Sequence, residues 1–254
     1  MITDLTQGSI SKRLWLFSIP MLISVMFQQI YNIADSMIAG KFVGEDALAA
    51  VGSTSALINL LVNVFIGLSV GVNVMVARYY GARRETAVNE TIHTAVALSL
   101  VSGLFLVVIG LLLARPLLEL MGTPDDVLGK AALYMRIYFA GMPVTMLYNF
   151  GAAVLRAVGD TRRPLYFLTF AGIVNVVLNL FFVIALNMDV AGVALATVIS
   201  QFLSAAWILK FLTGDKAILK LKVSTMRLKK KRVIKIVSMG LSSFTAGFTN
   251  SLVA

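Results

Sequence analysis

The sequence predicts an all-α polytopic membrane protein: a six-helix transmembrane bundle followed by part of a seventh helix. Three observations carry this expectation. Apolar residues make up 59% of the 254 and charged ones 13%, where globular domains average about 45–50% and about 25%. The apolar residues fall into windows of roughly 20–30, long enough to cross a hydrocarbon core of about 30 Å as helices. Backbone groups inside lipid must also be satisfied within their own segment, and these windows are far longer than barrel strands, so helices are the reading that remains.

The first window, Leu14 to Ala39, follows Lys12 and Arg13. It is too long for the apolar region of a signal peptide and lacks a small-residue cleavage site, so it is read as a retained helix. Pro20, Ser24, Gln28, Asn32 and Asp35 recur within it at helical spacing, which predicts a polar stripe facing protein or water. Asp35 is the only acidic residue well inside a predicted span, where an aspartate costs roughly 2.5–3.5 kcal/mol near the centre on insertion scales. Apolar surroundings favour its neutral form and a bound cation its charged one, so the group can take up and release a proton or a cation. The competing reading is a helix-end aspartate that simply reaches water.

The second window, Leu48 to Val76, carries Ser55, Asn59 and Asn63, then the pair Gly67-x-x-x-Gly71, which suits close approach of two helix backbones. The third runs from Thr94 to Ala114. The single histidine, His93, stands just before it beside Glu90 and is read as a loop-edge residue, not a ligand. In the fourth, Leu133 to Leu155, Pro143 predicts a kink. The fifth, Leu165 to Leu186, places Gly172, Asn175 and Asn179 on one face. Counted at about 1.5 Å per residue from the same side, Asn175 lies ~16 Å, Asn179 ~22 Å and Asp35 ~31 Å deep. A site shared by the first and fifth helices is therefore geometrically possible, although intramembrane Asn also serves as interhelical hydrogen-bond glue. The sixth window, Val190 to Leu212, holds Thr197, Gln201 and Ser204, as cavity lining or packing, and a seventh starts at Val233.

Basic residues orient the spans. Lys12, Arg13, Arg78, Arg83, Arg84, Arg156, Arg162 and Arg163, with ten more between Lys210 and Lys235, fall on one side. Only Lys41, Arg115, Lys130 and Arg136 fall on the other, together with most of the acids. Short cytoplasmic loops retain positive charge, so the N-terminus is expected in the cytoplasm and the protein in the cell membrane. The net charge of +10 lies in short bursts between apolar runs, leaving no soluble surface for a nucleic acid; the lipid bilayer is the expected partner. Cysteine is absent, which excludes thiolate metal sites and disulfides. Phosphate-binding glycine loops, HExxH, GxSxG and buried carboxylate pairs are also missing, so an ATP-driven pump or an intramembrane hydrolase loses support and no enzyme is expected.

The division expected is 1–212 as an N-terminal lobe, 213–232 as a basic cytoplasmic inter-lobe loop and 233–254 as the start of a second lobe. Lys12-Arg13 matches Lys231-Arg232, Leu22 matches Leu241 and Ser24 matches Ser243 at constant offset, as in transporters built from parallel repeats. The partner expected for this lobe is thus the C-terminal lobe of the same protein.

Four stretches carry a family resemblance: TQGSISKRLWLFSIPMLISVMFQQIYNIADSMIAG at the first span, GVNVMVARYYGARRETAV after the second, LRAVGDTRRPLYFLTFAGIVNVVLNLFFV across the fourth and fifth, and VAGVALATVISQ at the sixth. In order, spacing and sidedness they resemble the multidrug and toxic compound extrusion (MATE) family of secondary transporters. The resemblance implies one bundle of a twelve-helix, two-lobe transporter that exports a small-molecule substrate, amphipathic and often cationic, by alternating access in exchange for H+ or Na+. It also implies that Asp35 of YNIADS takes part in cation coupling and that Asn175 of IVNVVLN lies near the same pocket, with Na+ at Asp35 and Asn175 as one option and no other cofactor. At Asn179 many relatives carry an aspartate, so a scheme with two carboxylates does not carry over. Gln28, Asn32, Asn59, Asn63 and Gln201 are expected to line the cavity. Two further readings are a flippase for lipid-linked precursors, disfavoured by the scarcity of cations inside the helices, and a non-transporting truncated membrane module.

Overall fold

The structure, a computed structural model, describes residues 10–214 and 229–240. Among these, α1 spans Ile10–Ile38, α2 Glu45–Gly81, α3 Glu85–Leu120, α4 Asp125–Ala140, α5 Met142–Ala157, α6 Arg162–Leu180 and α7 Asp189–Thr213. An eighth helix, α8, occupies residues 230–240. The middle of the expected inter-lobe loop, 215–228, and the continuation from 241, including the Leu241 and Ser243 matches, lie outside the described residues.

Five of these helices are long and apolar enough to cross a membrane, or six spans if α4 and α5 are counted as one bent crossing. Helices α2 and α3, at 37 and 36 residues, are each about 55 Å long and outrun the hydrocarbon. Their polar ends explain why the apolar windows were shorter than the helices. Acidic residues cluster where they complement the helix dipole, with Glu45 and Asp46 opening α2, Glu85 opening α3, Asp125 and Asp126 opening α4, and Asp189 opening α7.

The predicted kink falls at Gly141, where α4 and α5 meet at 49°. Pro143 sits in the first turn of α5; its ring cannot donate and would clash with the carbonyl four residues back. The Gly141 amide closes α4 instead, donating to the carbonyls of Ile137 and Tyr138 at 3.3 and 3.1 Å. Helix α3 accommodates the bend because Gly103 faces the backbone of Pro143 and Gly110 faces Phe139, so that two side-chain-free positions admit the bulk opposite.

Helix α1 lies mainly along α6, not along its sequence neighbour α2; α6 packs on α7, and α4 and α5 pack between α2, α3 and α7. Phe139, Met142, Met146, Phe150 and Leu155 from the bent pair are fully buried with Leu106 and Leu118 of α3 and Ile208 and Leu212 of α7. Large apolar side chains on the outside, such as Leu22, Val25 and Met26 on α1, Leu104 and Leu112 on α3, and Ile173 and Val177 on α6, are exposed. A surface this apolar matches lipid, where it carries no cost.

Two wider features place the polar residues. Helices α1 and α6 each end in a π-helical turn, Ala39–Val43 and Phe181–Ala185, a geometry frequent at functional sites. Gly44 closes the first with φ +123, a conformation side chains rarely tolerate. At the other, basic side, α8 is bound to α2 and α3. A Cβ on Gly71 would collide with the Ile236 carbonyl, and one on Gly240 would meet the Gly67 carbonyl and Leu68 Cα at 2.8 Å. The glycine pair of α2 thus serves backbone-to-backbone packing, against α8. Glu90 of α3 accepts from Lys229 Nζ at 2.6 Å and from Arg232 Nη2 at 3.2 Å. The Arg232 guanidinium also lies 4.6 Å over the Tyr79 ring and donates to its hydroxyl.

Candidate functional site

Asp35 is 5% exposed because α1 turns that face onto α6 and α7. Helix periodicity brings Asn175 and Asn179, one turn apart, to the opposing face of α6, where both are buried. Asn179 Nδ2 donates to Asp35 Oδ1 at 2.5 Å and lies 3.3 Å from Asn175 Oδ1. Asn175 Nδ2 lies 3.3 Å from Thr197 Oγ1 of α7. The Thr197 hydroxyl lies 3.2 Å from Asp35 Oδ2 and 3.1 Å from the Val193 carbonyl. Three helices thus converge on one carboxylate, and every direct hydrogen-bond partner it has is neutral. Tyr134 and Tyr138 of α4, with ring centroids 6.1 Å apart, lie within electrostatic reach of it.

One atom is left over. Oδ1 of Asn179 is fully buried with no hydrogen-bond partner, a costly state for an amide oxygen in apolar surroundings. A carboxylate, amide oxygens and a hydroxyl are the hard donors that suit a small hard cation. Among the described residues no three His, Cys, Asp or Glu side chains come together, so the donor set carries a single formal charge. That is enough for one proton or one monovalent ion, and too little to offset a divalent ion out of water.

The other candidates fall elsewhere. Gln201 is buried beside the site, donating to the Tyr31 hydroxyl at 3.3 Å, with its own Oε1 unpaired; it belongs to the packed interior, not to an open cavity wall. Gln28 and Asn32 are exposed, and Asn32 lies 3.4 Å from Gln29 Oε1. Their separation from Asp35 has a geometric cause. At about 100° per residue, Asn32 stands ~60° round α1 from Asp35 on the side away from Tyr31, which is turned into the core. The polar stripe is therefore wider than the buried face. Asn32 lines a separate cleft of about 520 Å³ with Gln29, Ser36 and Lys41, between the C-terminal end of α1 and Leu48 of α2. Asn59 and Asn63 are exposed along α2, away from the Asp35 cluster. His93 sits inside α3 with Nδ1 2.7 Å from the Asn89 carbonyl, not at a loop edge.

The residue that single-helix spacing left out of the cluster is Thr197. Its signal was present, since Thr197, Gln201 and Ser204 recur at intervals of four and three, but periodicity names a face and not the neighbour it meets.

The family model described as MatE matches residues 20–181. "Probable multidrug resistance protein YoeA" of Bacillus subtilis is 31% identical over 83% of this chain and 46% of its own length. The "FAD transporter" of Shewanella oneidensis is 28% identical over 77% of the chain and 44% of its own. The fold is shared with a crystal structure of MATE in the bent conformation, at a TM-score of 0.89 and 26% identity over 96% of this chain and 55% of that one. It is shared equally with a transporter from Pyrococcus furiosus described as having a reversed binding-pocket polarity, at 0.88 and 26% over 98% and 55%. The chain spans about half the length of the curated relatives it matches. With its family model matched from the first span into the fifth, and its helical bundle shared with solved transporters of that family, the chain belongs to the MatE family.

Proposed function

We propose that this chain forms the ion-binding lobe of a secondary antiporter that exports amphipathic, often cationic compounds in exchange for H+ or Na+. The observation that carries this reading is Asp35 itself, buried and held only by the neutral groups of Asn175, Asn179 and Thr197 beside an amide oxygen that lacks a donor. A proton or a monovalent cation is what such a set accepts. The efflux function is suggested by relatives described as multidrug resistance and multidrug export proteins. In this reading residues 1–212 are one lobe, 213–232 an inter-lobe loop and 233–254 the start of the opposite lobe. The basic side faces the cytoplasm and the membrane is the cell membrane.

Coupling follows from the arrangement. An ion that binds Asp35 draws α1 toward Asn175, Asn179 and Thr197, and losing it leaves a buried charge that α1 relieves by moving. Ion occupancy then biases which conformation of the two lobes is populated, and only a difference in ion affinity between conformations can do so. The test is gradient-driven efflux of a fluorescent cation by the whole transporter in vesicles, under an imposed proton gradient and separately a sodium gradient. Asp35→Asn should abolish transport with either; undiminished transport would remove Asp35 from the mechanism.

A further inference from the structure

The basic side of the molecule holds a second, unrelated site. A cleft of about 470 Å³ opens between the end of α2 and the start of α8, with Arg78, Arg84 and Lys235 around it and Met75, Ile234 and Met239 beneath. Arg78 lies two residues past the apolar window of α2, Arg84 in the turn before α3, and Lys235 two residues into the seventh window, a level from which long basic side chains reach lipid headgroups. Among the described residues none of the three makes an ion pair. Glu90, the nearby carboxylate, is already held by Lys229 and Arg232, and Glu85 makes no ion pair either. Helix α8 is held beside α2 by the Gly71 and Gly240 contacts and by Arg232 on Tyr79, which also borders the cleft. Three unneutralised cations over an apolar floor, at a membrane interface, match one class of ligand: an anionic phosphate ester whose remainder is hydrocarbon.

We propose that the cleft between α2 and α8 binds the phosphate headgroup of an anionic phospholipid through Arg78, Arg84 and Lys235, with an acyl chain over Met75, Ile234 and Met239. Basic pockets between spans on this face are where anionic headgroups bind, and Arg offers phosphate a forked set of donors. The site is separate from Asp35, which lies toward the opposite membrane face. Its occupant would bridge α2 to α8, and so adjust how firmly α8 is held.

The experiment is native mass spectrometry of the 254-residue chain in a neutral maltoside detergent, with added phosphatidylglycerol or phosphatidylcholine. Phosphatidylglycerol should be retained at least about tenfold more strongly, since each basic residue near a membrane surface contributes roughly fivefold in affinity for anionic lipid. Lys235→Gln should lower that preference a few-fold, and R78Q/R84Q/K235Q together should erase it. All three side chains are exposed, so the fold tolerates the changes. A control that removes the same charge elsewhere on that face, K12Q/R162Q/K210Q, should keep the preference. No preference in the unaltered chain, or equal loss in the control, overturns the proposal in favour of general surface attraction. Displacement of the lipid by millimolar glycerol phosphate overturns the lipid assignment in favour of a soluble phosphate ester.

Discussion

Two carboxylates in this molecule are held in opposite ways. Asp35 is buried among Asn175, Asn179 and Thr197, and among the described residues no basic side chain pairs with it. Glu90, at the basic end of α3 and only half-buried, is clasped by Lys229 and Arg232. The second is permanently satisfied and ties α8 to α2 and α3. The first is satisfied in hydrogen bonds but not in charge, and the ion binding proposed above rests on that difference. Placement, not residue chemistry, separates the two.

Substitutions at the two sites should therefore behave differently, and the largest change is expected at Asn179. Asn179→Leu leaves the Asp35 carboxylate buried without its shortest donor, at a cost of about 2–3 kcal/mol. Thermal melting of the chain in detergent checks this, and a loss under about 0.5 kcal/mol would mean that Asp35 has another partner. Thr197→Val keeps the shape and removes one hydroxyl, with an expected loss of about 1–2 kcal/mol by the same measurement. Because these bonds are shielded from solvent, neither loss should change between low and high salt.

Glu90→Gln should cost about 1 kcal/mol, and high salt should shrink the difference from the unaltered chain, because exposed ion pairs are weak and screened. Salt independence at Glu90 would erase the contrast with Asp35. The smallest effect is expected for Arg115→Ala. Its bond to Glu119, at 2.8 Å between half-exposed side chains one turn apart, is worth roughly 0.3–0.5 kcal/mol. Chemical denaturation in the same detergent would resolve a larger value and show that surface pairs matter more here than their exposure implies.

Much of the fold was legible because lipid imposes a simple rule: apolar windows had to be helices, and Pro143 had to bend one. Window lengths fell short of α2 and α3 because their polar ends extend beyond the hydrocarbon, where hydropathy carries no signal. At the Asp35 cluster, spacing put Asn175 and Asn179 on one face of the fifth span, and the depth count left room for Asp35 to reach it. Thr197 could not be assigned from its own helix, since it joins through a crossing of α7 that no local pattern encodes. Gln28 and Asn32 were grouped with Asp35 because intervals of three and four tolerate a drift around the helix. The core side of α1 is narrower than that drift. The roles of Glu90, Lys229 and Arg232 were invisible for a different reason, being separated by some 140 residues of chain.

The close seat of α8 on α2 has a practical consequence for taking the protein apart. Sequence places a natural cut after residue 212, before the basic loop. Cutting there would strip α8 from Gly67 and Gly71 and leave a backbone groove open to lipid, along with Glu90 bereft of both its cations. A shortened chain that is to stay monodisperse should retain residues through at least 240, so the unit that handles as one piece is larger than residues 1–212.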